Sequence, residues 1–596
     1  MASFGSNTPN FPKLPVPKLE DTLRKYLRSL KPMVDSNEWS RAIQVVRQFQ
    51  ESELARKLQD YVERRRQEKE NWLNEWYLCM RYLDNRLPTA LCSSPGQMLP
   101  LEHFENENAR LSYTARLIIA ATTYKMVIDR GELPDNTKRD MSQYSKMFGA
   151  CRIPHPSRDK IKFHPHSEHI IIAFRNQFFK LKLFHNSQLI GERQLLKHLH
   201  SITSQPLEPG IPIGILTTEQ RDKWAQTYEE LTKENEKQIN DIETCLFLVC
   251  LDETSDAKVN RLTKAGMHLL HGGGSKQNGS NRWYDKTLQF VIGSDGTVGL
   301  IYEHSVCDGQ PIANMVEYLN HLMLDMKCNA ASIFRQTQRD EACSDVSDEG
   351  PSKLIFRLTE SIRSDIREAE GNFNESVNNS DIEWFKFDSF GKDFIKSVQL
   401  SPDSFVQIAI QLSFYRMHGL SSNIYEAVST SKFAKGRVES LRSFSEEAVT
   451  FIRIALDQIK GNDEQSAALR LAVNTHKRDS LEAGEGYGTE RHFMGLKAAA
   501  EELNLPVPSL HCDSTYIKSI TSRVSTSQVA TNCDSLTGFG TIPTDLYACC
   551  YNIRPSDINI SIFSFKSNLL TTSAGMKDAI ISSLCDMRDI LIQCNN

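Results

Sequence analysis

Residues 287–303, TLQFVIGSDGTVGLIYE, run directly into residues 304–309, HSVCDG. Two β-rich segments flank Ser294, Asp295 and Gly296, which read as a hairpin-type turn. That reading puts His304 where a strand ends, with Asp308 four residues on, in the pattern H-x-x-x-D-G. An imidazole in such a place can act as a general base near neutrality, because its unperturbed pKa is about 6.5. The carboxylate is close enough in sequence to brace the turn. Residues 155–159, HPSRD, repeat the spacing but lack the glycine and the preceding strand, so that copy reads as chance. The bland alternative for His304 is a buried, hydrogen-bonded histidine.

The 596 residues are 40% hydrophobic, 24% charged and 9% aromatic, the composition of an ordinary globular protein, and the length suggests two or more domains of ordinary size or two large lobes. Basic and acidic residues, 70 and 75, are well mixed and give a net charge of −5. Nucleic acid as a partner would need a concentrated basic face, and none is visible. No run of 18 apolar residues exists, so no membrane span is expected. The 14 cysteines lack metal-ligand spacing. They read as reduced, intracellular, small apolar fillers, and no metal site is expected. The N-terminal stretch lacks an apolar core and any arginine, and the C-terminus is not a peroxisomal address. These absences point to the cytoplasm, with mitochondrion and peroxisome as alternatives.

Leu19, Leu23, Tyr26, Leu27 and Leu30 form one helical stripe that Pro32 ends. Helix is expected again over 37–83 and 109–129. Short β-rich runs over 165–185, 245–251 and 287–303 alternate with helical stretches. Residues 336–352 are polar and acidic, a surface loop or linker. Beyond it the pattern predicts a strand at 383–387, helices over 402–418, from Ser445, over 487–503 and over 574–591, and strands at 524–529 and 558–565. The alternation predicts α/β lobes in tandem. One lobe spans 1–350 with the leading helices and His304. The other spans 351–596, with elements of the second half available to the first.

Several segments together resemble the choline/carnitine O-acyltransferase family. They include LPVPKLEDTLRKYL at 14–27, HGGG at 271–274, NRWYDK at 281–286, YEHSVCDG at 302–309, FGK at 390–392 with LSPD at 400–403, and Tyr425 with Glu426. Gly436-Arg437 with Arg442-Ser443, STSQV at 525–529, Tyr551-Asn552 and DMR at 586–588 complete the set. The resemblance runs from about 12 to 592 in family order. It implies two similar α/β lobes of the chloramphenicol-acetyltransferase kind with a substrate tunnel between them. Acyl-CoA enters from one mouth as co-substrate, and the alcohol enters from the other. No permanently bound cofactor, no metal and a monomer are expected.

The resemblance also assigns roles. His304 takes the hydroxyl proton and returns it to the CoA thiolate. Ser527 donates to the oxyanion, a contact typically worth about 3 kcal/mol; alone, an S-T-S run would merely satisfy local backbone groups. Asp308 pairs with Arg442 as a structural ion pair bridging the lobes. Lys392 and Lys396, four apart, face the CoA phosphate, and Asp403 contacts CoA. Otherwise such a lysine pair would be a solvated face. Arg491 matches the carboxylate-binding arginine of carnitine enzymes, Tyr425 assists it, and Val438 replaces a threonine, a choline-like departure. Thr537 stands where acetyl-specific members carry a methionine that plugs the acyl pocket.

The implied reaction is reversible transfer of a short acyl group, acetyl, between CoA and the hydroxyl of carnitine. Choline O-acetylation and a medium-chain carnitine activity are the neighbouring alternatives. From other classes come a non-catalytic CoA-binding protein, disfavoured because His304, Ser527 and both lysines are present, and a smaller trimeric acetyltransferase, which would leave the second half unexplained.

Overall fold

The computed structural model describes residues 11–133, 138–204, 208–328, 350–420, 422–457, 461–541 and 545–593. Most of the acidic stretch expected to be a linker, 336–349, lies outside the described residues.

Leu288–Gly293 and Val298–Tyr302 pair antiparallel, with Ile292 opposite Val298 and Leu288 opposite Tyr302. Gly296 closes the turn at φ 85°, and a Cβ there would meet the Glu102 carbonyl oxygen at 2.0 Å, so only glycine fits. Both strands are buried throughout because they lie inside an eight-stranded sheet. Its order is Ser352–Lys353, Gln177–Lys182, His169–Phe174, Leu248–Asp252, Leu288–Gly293, Val298–Tyr302, Gly96–Met98 and Leu536–Gly538. Helices Glu107–Asp129 and Gly309–Cys328 cover one face.

A second, six-stranded sheet runs Ser380–Phe387, Ile558–Phe565, Tyr547–Ile553, Ser522–Gln528, Asn423–Ser429 and Val438–Arg442. Helices Pro402–His418 and Ser573–Gln593 bury Phe405, Ile408, Leu412, Ile580 and Leu584 against it. Pro402–His418 begins after the Ser401 cap and ends at Gly419 in the left-handed region, as the sequence predicts. The molecule is thus two α/β lobes, each with a mixed sheet.

A division at residue 350 is crossed in both directions. Leu536–Gly538, from the second half, joins the first sheet by pairing with Gly96–Met98. The leading helices, expected on the first lobe, instead pack Leu23, Tyr26, Leu58 and Val62 against Phe493, Leu496 and Tyr516 of the second half. Trp384, on the edge strand of the second sheet, lies against Gly266 and Gly538, where added Cβ atoms would meet the indole at 2.5 and 2.4 Å. Among the described residues no helix is long and apolar enough to cross a membrane.

Candidate active site

A cavity of about 1020 Å³ lies between the two sheets. The first sheet's hairpin contributes Tyr302 and, just beyond its end, His304. The second sheet contributes Tyr425, Ser525, Ser527 and Val438, and Thr537 comes from the strand that crosses between halves.

His304 keeps 26% of its side chain exposed, toward a space otherwise walled by protein. Its Nδ1 lies 3.0 Å from Tyr82 Oη, and the two rings stack with centroids 5.4 Å apart. Burial pushes its pKa below the ordinary histidine value, while Asp308, 3.8 Å from Nδ1, pulls the other way. At neutral pH the ring is therefore an uncharged base.

The ion pair expected between Asp308 and Arg442 is not formed. The partner of Asp308 is Arg437, which donates from Nε and Nη2 to the two carboxylate oxygens at 2.9 and 2.8 Å. Arg437 also donates to the Ser305 carbonyl at 2.7 Å and the His304 carbonyl at 3.0 Å. One guanidinium from the second lobe therefore holds the whole turn that carries His304. Such a bidentate fork needs the planar geometry of arginine. Arg442 points elsewhere: Nη1 donates to Ser519 Oγ at 2.8 Å, and its guanidinium lies over the Tyr26 and Tyr516 rings.

The strand end is also held from behind. Arg152 donates to Glu303 at 3.2 Å and to Asp159 at 2.7 Å, and Asp159 accepts from Arg221 at 2.6 Å. Glu303 in turn accepts from the Ser305 amide at 3.1 Å. Asp159 belongs to the HPSRD stretch set aside as chance; it serves as the hub of a buried ion network.

Arg491, Tyr425 and Val438 come together. Arg491 is 3% exposed and donates from Nε to the Val438 carbonyl at 3.0 Å and from Nη2 to Tyr425 Oη at 3.3 Å. Its guanidinium lies 4.8 Å from the centre of the Tyr77 ring, and Nη1 lies 3.5 Å from Glu490. Nearby Glu439 is pushed up to about 7 by burial, against the opposing effect of Arg491.

Ser527 is on the strand Ser522–Gln528, opposite Cys550, and lines the same cavity as His304. Thr537 is buried with its Oγ1 unpartnered at the cavity wall. Lys392 and Lys396 share the helix Lys392–Ser397, partly exposed and exposed, and do not line this cavity. Asp403 does line it and accepts from Tyr551 Oη at 2.6 Å. The donor atoms of Asp403, Glu426 and His476 lie within 4.8 Å of one another, a set that would fit a cation. Here His476 Nε2 is instead 2.7 Å from Glu426 Oε2. Burial would lower the His476 pKa, but Glu426 lifts it above the ordinary value.

Tyr82 and Arg81, both lining the cavity, escape the sequence reading. They sit on a π-helical turn, Cys79–Leu83, a geometry often found at functional sites but without a sequence signature.

A family model described as Choline/Carnitine o-acyltransferase matches residues 14–582. The chain belongs to the choline/carnitine O-acyltransferase family. It is an acyltransferase. It is 35% identical to carnitine O-acetyltransferase of Homo sapiens over 99% of this chain and 94% of that protein. It is 33% identical to choline O-acetyltransferase of Sus scrofa over 98% of this chain and 92% of that protein. Among solved structures, the TRI3 trichothecene 15-O-acetyltransferase of Fusarium sporotrichioides aligns with 87% of this chain and 94% of its own at a TM-score of 0.40 and 10% identity.

Proposed function

We propose that this acyltransferase moves a short acyl group, acetyl above all, between CoA and the hydroxyl of carnitine. The observation that carries this reading is Arg491, a buried guanidinium beside Tyr425 in the cavity that holds His304. A buried cation of that kind suits a carboxylate, which carnitine has and choline lacks.

In the forward direction His304 works with the proton on Nδ1, leaving Nε2 as the base. Nε2 removes the carnitine hydroxyl proton as the oxygen attacks the thioester carbonyl. The tetrahedral oxyanion accepts from Ser527 Oγ. As the C–S bond breaks, the imidazolium returns the proton to the CoA thiolate. Asp308 is not a proton carrier in this scheme, since Arg437 holds both its oxygens. Both substrates share one cavity, so proximity replaces a covalent acyl-enzyme. The lobes of one chain enclose that cavity, so a monomer suffices.

Lys392 and Lys396 offer CoA's phosphate two cations, and among the described residues neither is in an ion pair. Asp403 would meet CoA inside the cavity. Thr537 leaves more room than a methionine would, so propionyl transfer is expected alongside acetyl. Val438 supports the choline reading, but loss of one hydroxyl costs only about 1 to 3 kcal/mol. Glu490 answers Arg491 only loosely, at 3.5 Å, and a carnitine carboxylate would give the guanidinium a closer, charge-assisted partner.

Arg491→Asn discriminates the two. The KM for L-carnitine should rise at least about tenfold, the value of one lost charge-assisted contact. The KM for acetyl-CoA should stay near wild type. Wild-type protein that acetylates choline but not L-carnitine would replace this reading with the choline one.

A further inference from the structure

Arg491 is not the only guanidinium in the acceptor half of the cavity. Arg81 lines the same wall, exposed to the cavity, with its guanidinium 5.8 Å from the centre of the Tyr425 ring. Arg491 reaches the hydroxyl of that same tyrosine at 3.3 Å. Tyr425 is thus near two cations. Among the described residues Arg81 has no hydrogen bond or ion pair, only this ring contact.

The nearby carboxylates are already engaged. Asp308 is held by Arg437. Glu490 accepts from Ser440 Oγ at 2.6 Å and lies 3.5 Å from Arg491. Glu439 accepts from the Arg491 and Ser440 amides. Arg81 is therefore left without a carboxylate partner among the described residues. Two guanidiniums beside one ring would attract an anionic group and disfavour a bare quaternary ammonium such as choline.

We propose that Arg81 joins Arg491 in gripping the anionic group of the acceptor. Arg81 is then a second specificity-determining residue, in addition to Arg491. A carboxylate has two oxygens and can take one guanidinium on each. The proposal rests on the reading that the acceptor alcohol binds beside Tyr425, and it selects the anionic alternative within it.

The test is steady-state kinetics of wild type, Arg81→Met and Arg81→Lys with three acceptors: L-carnitine, L-carnitine methyl ester and choline. The ester keeps the hydroxyl and the ammonium but loses the anion. Arg81→Met should raise the KM for L-carnitine about tenfold, leave the KM for acetyl-CoA unchanged, and leave the ester unchanged or improved. Arg81→Lys should recover part of the loss, since it keeps the charge but not the fork. A carnitine KM within twofold of wild type in Arg81→Met, or an equal rise for the ester, overturns the role of Arg81. If wild type uses L-carnitine and Arg491→Asn impairs it while Arg81→Met does not, only this inference falls. If wild type uses choline and not L-carnitine, both readings fall together.

Discussion

His304 is uncharged at neutral pH because burial disfavours its protonated form more than Asp308 favours it. The sign of the pH dependence follows. A base with a depressed pKa stays active below pH 6.5, so kcat/KM should hold through that pH and fall only as acidity reaches the lowered value. Asp308→Asn removes the charge that raises the His304 pKa and frees the like charge of Arg437. The acid limb of kcat/KM should therefore move to still lower pH. The same change strands a buried guanidinium and should cost about 3 to 5 kcal/mol of stability, read by denaturant titration. An acid limb that moves upward would contradict this electrostatic account. His304 was legible because a strand, a turn glycine and a fixed spacing coincide within a few residues. Its partners were not. Arg437 and Arg442 lie close together in sequence, and nothing local says which one reaches Asp308 across the gap between lobes. Tyr82 approaches Nδ1 from far upstream, a contact only the folded chain creates.

At the scale of elements, the helix Lys392–Ser397 is short, and among the described residues the ammonium groups of its two lysines are in no ion pair. If they answer the 3′-phosphate, the Lys392→Ala, Lys396→Ala double variant should raise the KM for acetyl-CoA. It should leave the KM for 3′-dephospho-acetyl-CoA unchanged, and the wild-type preference should weaken with salt. Equal rises for both thioesters would remove the phosphate role. Elements with a strong stripe or a sharp cap were readable, as with Leu19–Leu30, Pro402–His418 and Ile558–Phe565. Arg221–Thr244, Glu360–Asn379 and Asn462–Glu482 were not. Asn462–Glu482 turns Ser466, Ala468, Ala472, Thr475 and His476 inward, small or polar groups that blur the apolar period. Arg221–Thr244 buries Arg221, Asn235, Asp241 and Glu243, because ion pairs and hydrogen bonds satisfy them.

For the whole molecule, the sequence foretold two α/β lobes but not how they interlock. A strand of three residues lent to the other sheet, Leu536–Gly538, is too short to announce its destination. The leading helices carry a clear apolar stripe, but a stripe does not name the surface that covers it. The Trp384 contact is the most direct test of the interlock. Gly266→Ala places a methyl 2.5 Å from the indole, so helix Arg261–His271 and the second sheet must part or distort. Overpacking of this kind costs about 1 to 3 kcal/mol, and the loss should appear as a lowered Tm in calorimetry. An unchanged Tm would mean that the two lobes are not locked at this contact.

The central claim is that one imidazole in a cavity shared by two lobes moves the proton for transfer to an acceptor with an anionic tail. Acceptor-dependent release of free CoA thiol from acetyl-CoA, followed for wild type and His304→Ala at equal folded concentration, tests it most directly. Wild type should release thiol only when L-carnitine is present, and His304→Ala should be slower by about 10² to 10⁴-fold with little change in either KM. Release at the wild-type rate by His304→Ala, or release from wild type that is independent of L-carnitine, would contradict the account.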